Sequence, residues 1–260
     1  MTIETAISQG IFCWAELYAK DIHKSSAFYA SLFDWKIETI QLDNNESYTM
    51  FKVKNNNIAG GIQLSKQMGD LRPHWNSYIL VNDIYESVAT AKALGAKVPL
   101  EIRDISNIGK MAVIIDPTGG SFSLWQSTQS NETVPLPKTT PGNIGWNELV
   151  TEDTELATRF YADLFKWTIN TKEWLSGATY TTFLNQGKPI AGMRAPTKKL
   201  NTAGPRWWLY FTVKDLNKAI NKAKELGGSI GHETITMVGI GRFAMIQDPN
   251  GVCFSMIEFD

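Results

Sequence analysis

Two glutamates each have a tryptophan two residues before them. Glu16 follows Trp14 in Trp14-Ala-Glu16-Leu17, and Glu148 follows Trp146 in Trp146-Asn-Glu148-Leu149. Alternate residues of an extended strand share a face, so each carboxylate lies beside a flat indole. A carboxylate against an aromatic wall can receive a cation. If burial strips its water, its proton affinity rises and it becomes a candidate proton carrier. On this reading Glu16 and Glu148 are candidate catalytic residues. The alternative for the glutamates is structural, since buried carboxylates are seldom left without hydrogen bonds. The alternative for the tryptophans is core filling.

The two motifs belong to a repeat with a fixed offset of 132 residues. Phe28-Tyr29 returns as Phe160-Tyr161, and Leu32-Phe33-Asp-Trp35 as Leu164-Phe165-Lys-Trp167. Tyr48-Thr49, Ala59-Gly60 and Leu94-Gly95 return as Tyr180-Thr181, Ala191-Gly192 and Leu226-Gly227. Asp116-Pro-Thr-Gly119 returns as Asp248-Pro-Asn-Gly251. The halves therefore share one fold. A finer spacing of 62 residues links Asp21 to Asp83 and Leu32 to Leu94, and likewise Asp153 to Asp215 and Leu164 to Leu226, which gives four units.

Each unit reads as strand, helix, then further strands. Alternation places Phe12, Trp14, Glu16 and Tyr18 on one strand face. Asp21 caps a helix that buries Phe28, Leu32 and Phe33. Asp83 to Glu86 fits a reciprocal cap, and Gly95 and Gly227 close their helices. The Asp-Pro-x-Gly segments fit type I turns joining terminal hairpins. Four βαβββ units in two pairs, each pair curled around a concave surface, make an α+β chain.

The 260 residues suit two domains. We delimit them as 1–126 and 143–260, joined by a linker at 127–142 within a polar stretch carrying three prolines. Shorter connections fall at 65–72 and 196–204. A net charge of −1 with mixed signs gives no footprint for nucleic acid or an anionic membrane. The segment MTIETAISQGIFCW lacks the features of a signal peptide, and no apolar stretch is long enough to span a bilayer. Cys13 and Cys253 read as buried free thiols in a reducing, cytoplasmic compartment, with a disulfide joining the halves as the alternative.

The βαβββ quarter, the Phe-Tyr and Leu-Phe-x-Trp helix and the Asp-Pro-x-Gly-x-x-Phe-Ser hairpin together resemble the vicinal oxygen chelate superfamily. That group includes glyoxalase I, bleomycin-resistance proteins and extradiol dioxygenases. The tandem arrangement is similar to two-domain glyoxalase-like proteins of the Cfp30B antigen type. The resemblance covers 11–126 and 143–258 and implies two tandem glyoxalase-like domains. It also implies a divalent metal held by His, Gln or Glu on the concave strands. The implied ligand positions are Trp14 and Trp146, Ser77 and Leu209, and Ser123 and Ser255. Indole has no lone pair for a metal, and neutral serine is a poor substitute for carboxylate. No metal and no other cofactor is therefore expected. A site of His74, Glu16 and a water is the alternative.

The same register turns Trp14, Glu16, Trp146 and Glu148 inward. It adds Tyr48, Trp75, Ser77, Ser123 and Trp125 to the first cavity, and Tyr180, Trp207 and Ser255 to the second, with Arg194, Arg206 and Arg242 near its rim. An aromatic-walled pocket with few polar groups suits a planar or amphipathic small molecule. Three readings follow. One is a metal-free small-molecule binding protein in the manner of bleomycin-resistance proteins. Another is a lyase or isomerase of glyoxalase type, metal-dependent or with Glu16 or Glu148 as base. The third is an interaction or scaffold protein with filled cavities. The partner expected is a small-molecule ligand, and the chain is expected to be a monomer or a homodimer.

Overall fold

In a computed structural model of the chain, the residues described are 9–42, 47–105, 108–128, 136–174, 177–197, 204–232, 234–237 and 239–260. The first unit is β1 (Phe12–Ala19), α1 (Ile22–Phe33), β2 (Lys36–Gln41), β3 (Ser47–Val53) and β4 (Asn56–Gln63). The second is β5 (His74–Leu80), α2 (Ile84–Ala93), β6 (Lys97–Ile105), β7 (Gly109–Ile115) and β8 (Ser121–Ser127). The third is β9 (Ile144–Val150), α3 (Thr154–Phe165), β10 (Thr168–Glu173), β11 (Thr179–Asn185) and β12 (Lys188–Arg194). The fourth is β13 (Arg206–Thr212), α4 (Leu216–Glu225), the short β14 (Ser229–Ile230) and β15 (Ile235–Met237), β16 (Gly241–Gln247) and β17 (Cys253–Phe259).

Each half makes one sheet. The first runs β2-β3-β4-β1-β5-β8-β7-β6, and the second runs β10-β11-β12-β9-β13-β17-β16-β14 with β15 paired to β16. The opening strands of paired units meet antiparallel at the centre, β1 on β5 and β9 on β13. This is the α+β architecture of four βαβββ units that the repeat predicts.

Local chemistry sets the element ends. Asp21, Asp83, Asp153 and Asp215 each accept a hydrogen bond from a backbone N–H in the first turn of α1 to α4. Gly95 and Gly227 follow α2 and α4 at φ +90° and +85°, where a side chain would be strained. Asp116 Oδ1 accepts from the backbone of Thr118 and Gly120, which fixes the β7–β8 turn. In β1 a bulge between Phe12 and Trp14 breaks the alternation. Phe12 is thereby turned to the helix side, against Trp167 and Trp207, and does not share a face with Trp14.

The helix-covered faces of the two sheets pack against each other, and neither large core belongs to one half. One core joins Phe28, Tyr29 and Trp35 to Phe211, Phe254 and Met256. The other joins Ile84, Ile114 and Phe122 to Tyr161, Phe165 and Trp167. Hydrogen bonds cross with the same reciprocity. Tyr161 OH donates to Asp116 Oδ2 at 2.6 Å, and Ser25 Oγ donates to Asp248 Oδ2 at 2.9 Å. Trp35 Nε1 reaches Gly142 O, and Trp167 Nε1 reaches Gly10 O. The Phe-Tyr and Asp-Pro motifs, readable within a half as packing and turn, thus also join the halves.

Cys13 and Cys253 are half-buried rather than fully buried, and no disulfide joins them. No described helix is long and apolar enough to cross a membrane. Residues 129–135 of the predicted linker and 198–203 of the 196–204 connection lie outside the described residues. Because the cores are shared, the halves should unfold together. Tyr161→Phe leaves Asp116 Oδ2 without its donor and is expected to cost about 1–3 kcal/mol. In denaturant titration it should shift a single transition seen alike by tryptophan fluorescence and circular dichroism. Two separate transitions would show that the halves fold independently.

Candidate functional site

Opposite the helix-covered face, each sheet forms a cup. In the first, β1 contributes Trp14, Glu16 and Tyr18, while Ala15, Leu17 and Ala19 are buried on the other side. Tyr78 OH donates to Glu16 Oε2 at 2.7 Å, and Trp14 Nε1 donates to Tyr48 OH at 3.1 Å. The hydroxyls of Tyr18 and Tyr48 also turn toward Glu16, which is 8% exposed. Tyr48 can lie there because Glu16's register partner on β4 is Gly60. A Cβ at Gly60 would fall 1.7 Å from the Tyr48 hydroxyl. Asn76, opposite Glu16 on β5, donates its amide N–H to Ser123 Oγ at 2.7 Å. Its carbonyl oxygen, Oδ1, is buried with no partner. Trp125 stands on the Ser123 face of β8, half-buried.

The second cup repeats this plan with two insertions of bulk and charge. Tyr210 OH donates to Glu148 Oε1 at 3.0 Å, Trp146 Nε1 donates to Tyr180 OH at 2.8 Å, and Gly192 makes room for Tyr180. Here Arg194 Nε also donates to Glu148 Oε1 at 2.8 Å, with both side chains almost wholly buried. Trp208 takes the place of Asn76 and donates to Ser255 Oγ at 2.8 Å. Trp208, Tyr210, Phe243 and Ile257 form an apolar cluster with Trp146 and Trp174 packed against it. Lys138 Nζ sits 4.2 Å from the Trp146 ring centre at the edge. The chain's own side chains fill this cup.

Electrostatics follow the burial. Loss of water, then the negative charge of Glu16, pushes the Tyr18, Tyr48 and Tyr78 hydroxyls well above their usual range. Burial and Glu148 do the same to Tyr180 and Tyr210. Burial and the facing aspartates, Asp248 and Asp116, raise Tyr29 and Tyr161. These phenols are hydrogen-bond donors at any ordinary pH.

The model of the Glyoxalase/Bleomycin resistance protein/Dioxygenase superfamily matches residues 143–256, and the first half repeats that segment in sequence and in sheet order. The second half thus matches this superfamily, and the first half resembles it through the internal repeat. It is 29% identical over 252 residues to the "Putative glyoxylase CFP32" of Mycobacterium tuberculosis, covering 96% of this chain and 95% of that one. It is also 29% identical over 272 residues to "Anthracycline biosynthesis protein DauV" of Streptomyces sp. (strain C5), covering 98% and 95%. The Mn(II)-bound glyoxalase from Novosphingobium aromaticivorans superposes with TM-score 0.65 at 16% identity, over 96% of this chain and 82% of that one. The 2,3-dioxygenase LapB from Pseudomonas sp. KL28 gives 0.65 at 10% identity, over 96% and 93%. At such identities the likeness is one of fold.

Metal enzymes of this superfamily use the cup to hold a divalent ion that chelates two adjacent oxygens. The residues present do not fit one. Each cup offers a single carboxylate, and Glu148 is already paired with a cation. Trp14 and Trp146 have no free lone pair. Ser123 and Ser255 are tied to Asn76 and Trp208. His74 stacks on Tyr18 with Nδ1 against Arg72 O, and burial lowers its pKa. Among the described residues no three of His, Cys, Asp and Glu converge.

The structure gathers Glu16, Trp14, Tyr48, Ser123 and Trp125 in the first cup, and Glu148, Trp146, Tyr180 and Ser255 in the second. Trp75, Ser77 and Trp207 are corrections, because they point into the shared cores. Trp75 Nε1 donates to Tyr29 OH, Trp207 Nε1 to Tyr161 OH, and Ser77 Oγ to Asn147 Oδ1 of the other half. The cup-facing residues of β5 and β13 are instead Asn76, Tyr78, Trp208 and Tyr210. Arg194 lies deep in its cup rather than at the rim, and Arg242 pairs with Glu258. The signal for the missed residues was in the repeat, at its mismatched twins Asn76 and Trp208, and Ile62 and Arg194. A separate open depression of about 560 Å³ beside α4, lined by Ile220, Lys224 and His232 among others, shares none of these residues.

Two outcomes follow from this geometry. Arg194→Met strands Glu148 without its cation and is expected to destabilise the fold by about 3–5 kcal/mol, whereas adding Glu148→Gln should recover most of the loss in chemical denaturation. Tyr18, Tyr29, Tyr48, Tyr78, Tyr161, Tyr180 and Tyr210 have raised pKa values. A folded-state pKa above the unfolded one stabilises the fold below the unfolded value, and that stability is lost as pH rises past it. Stability should therefore fall above about pH 10. Most phenolate absorbance at 295 nm should then appear only with unfolding. Titration of most tyrosines near pH 10 in a protein still folded would contradict this.

Proposed function

We propose that this chain is a small-molecule binding protein of the glyoxalase/bleomycin-resistance type that works without the superfamily's usual metal. The first cup holds a planar or amphipathic metabolite against Trp14, Tyr48 and Trp125. The observation that carries this reading is the contrast between twins. Where the second cup is filled by Trp208 and Arg194, the first has Asn76 and Ile62 and leaves a buried acceptor, Asn76 Oδ1, without a partner. The second half then serves mainly as the packed support for the first. Its cross-half cores supply within one chain what single modules obtain by pairing, which favours a monomer. Cys13 and Cys253, joined by no disulfide, suit a reducing, cytoplasmic setting.

One observation favours an enzyme as the second reading, the name glyoxylase borne by a relative aligned over 96% of this chain. Glu16, gripped by Tyr78, is the group that would then carry a proton. A thermal-shift screen with aromatic metabolites and divalent metals tests both. A ligand of the first cup at 100 times its Kd should stabilise the protein by about 2.7 kcal/mol. Asn76→Trp, which rebuilds the second cup's filling in the first, should abolish that gain without lowering the basal melting temperature. Stabilisation that survives Asn76→Trp, or elemental analysis finding stoichiometric zinc, nickel, iron or manganese, would overturn the proposal. Turnover of a bound compound that Glu16→Gln abolishes would establish the second reading.

A further inference from the structure

The duplication lets one half serve as a template for the other. In the second cup Glu148 is neutralised by the guanidinium of Arg194, a residue of the same chain, at 2.8 Å. In the first cup the twin of Arg194 is Ile62, and among the described residues no cation pairs with Glu16. Tyr18, whose twin is Val150, supplies a neutral hydroxyl on that side, so Glu16 has donors but no counter-charge. A carboxylate withdrawn from water costs folding energy that neutral donors offset only in part. Beside it, Asn76 donates its amide N–H to Ser123 and leaves its carbonyl oxygen buried and unpaired. An orphan acceptor of this kind calls for a donor the chain does not provide. Both groups lie on one register pair of β1 and β5 and face the same cup.

Resting on the binding reading above, we propose that the first cup takes an organic cation. A guanidinium, amidinium or primary ammonium on a flat apolar body would direct its N–H groups to Glu16 and to the carbonyl oxygen of Asn76. The ligand's charged head does for Glu16 what Arg194 does for Glu148. The flat body lies along Trp14, where an indole face also favours a neighbouring cation. The second cup, whose cation is built in, binds no such ligand.

Titration of the full chain, by calorimetry and tryptophan fluorescence, tests this with benzamidine, phenylguanidine and tryptamine as cations. Benzamide serves as the neutral isostere of benzamidine, and benzoate as the anion. At least one cation is expected to bind at one site per chain, and benzamide at least about tenfold more weakly than benzamidine. Glu16→Gln should weaken the cation by at least about tenfold and leave benzamide unchanged. The double variant Tyr18→Val, Ile62→Arg transplants the Arg–Glu pair of the second half. It should fold, as judged by its melting transition, and lose cation binding. If benzamide or benzoate binds as tightly as benzamidine, or a folded Glu16→Gln or double variant binds the cation undiminished, the cation assignment is overturned while the binding reading stands. It is also overturned if none of the three cations binds. If, in addition, no compound of the wider screen gives a stabilisation that Asn76→Trp removes, both readings fall.

Discussion

The two halves of this protein bury their helix-covered faces together in two shared cores. Tyr161 of α3 donates to Asp116 in the β7–β8 turn, and Ser25 of α1 donates to Asp248 in the β16–β17 turn. The aromatic residues of α1 lie with Phe211 and Phe254, and those of α3 with Phe122. A sheet in this fold has one face that must be withdrawn from water, and here the two such faces cover each other. The opposite faces are thereby released from the work of holding the fold together. Trp35 and Trp167 fasten the arrangement by donating to backbone carbonyls far along the chain, Gly142 and Gly10.

That release explains how the cups came to differ while the cores remained alike. The aromatic anchors of the cores keep their twins, Tyr29 and Tyr161, Trp75 and Trp207, and Phe122 and Phe254, each in an equivalent contact. The cups share their Trp, Glu, Tyr and Ser positions but differ around them, as Ile62 and Arg194, Asn76 and Trp208, and Tyr18 and Val150 show. A change in a shared core would disturb both halves, since interiors are close-packed and transmit strain. A change in a cup alters only that cup. The second has closed on itself around a buried ion pair. Such pairs seldom add net stability over an apolar filling, but removal of one partner is costly.

The fold was legible because its signals are local and repeated. Aspartate caps, helix-ending glycines and Asp-Pro turns act within a few residues, and the 132-residue offset showed each of them twice. The phase of the central strands was not legible. His74–Leu80 and Arg206–Thr212 are buried on both faces, so they carry no alternation of apolar and polar residues, and Trp75, Ser77 and Trp207 look as fit for a cup as Asn76 and Trp208 do. The β1 bulge that turned Phe12 away leaves no mark in composition. Contacts between halves, such as Ser77 to Asn147, depend on how two sheets meet, which no pattern inside either sheet specifies.

The motif shared by both cups does not fix what either one does. Trp-x-Glu-Leu places an indole and a carboxylate in the same geometry twice, with the same tyrosine partners lying over the same glycine. What differs arrives from neighbouring strands, β4 or β12 beside the glutamate on one side and β5 or β13 on the other. Arg194 and Trp208 turn the second carboxylate into an interior group with all its needs met. Ile62 and Asn76 leave the first with hydroxyl donors, no cation and an idle acceptor nearby. The two tryptophans thus answer differently the question of core filling against ligand wall. Trp146 is packed against the cluster of the second cup, whereas Trp14, half-buried and held by Tyr48, lines a cup whose polar groups are incompletely satisfied. Incomplete satisfaction next to a satisfied twin is what separates a site from a core when every motif residue is the same.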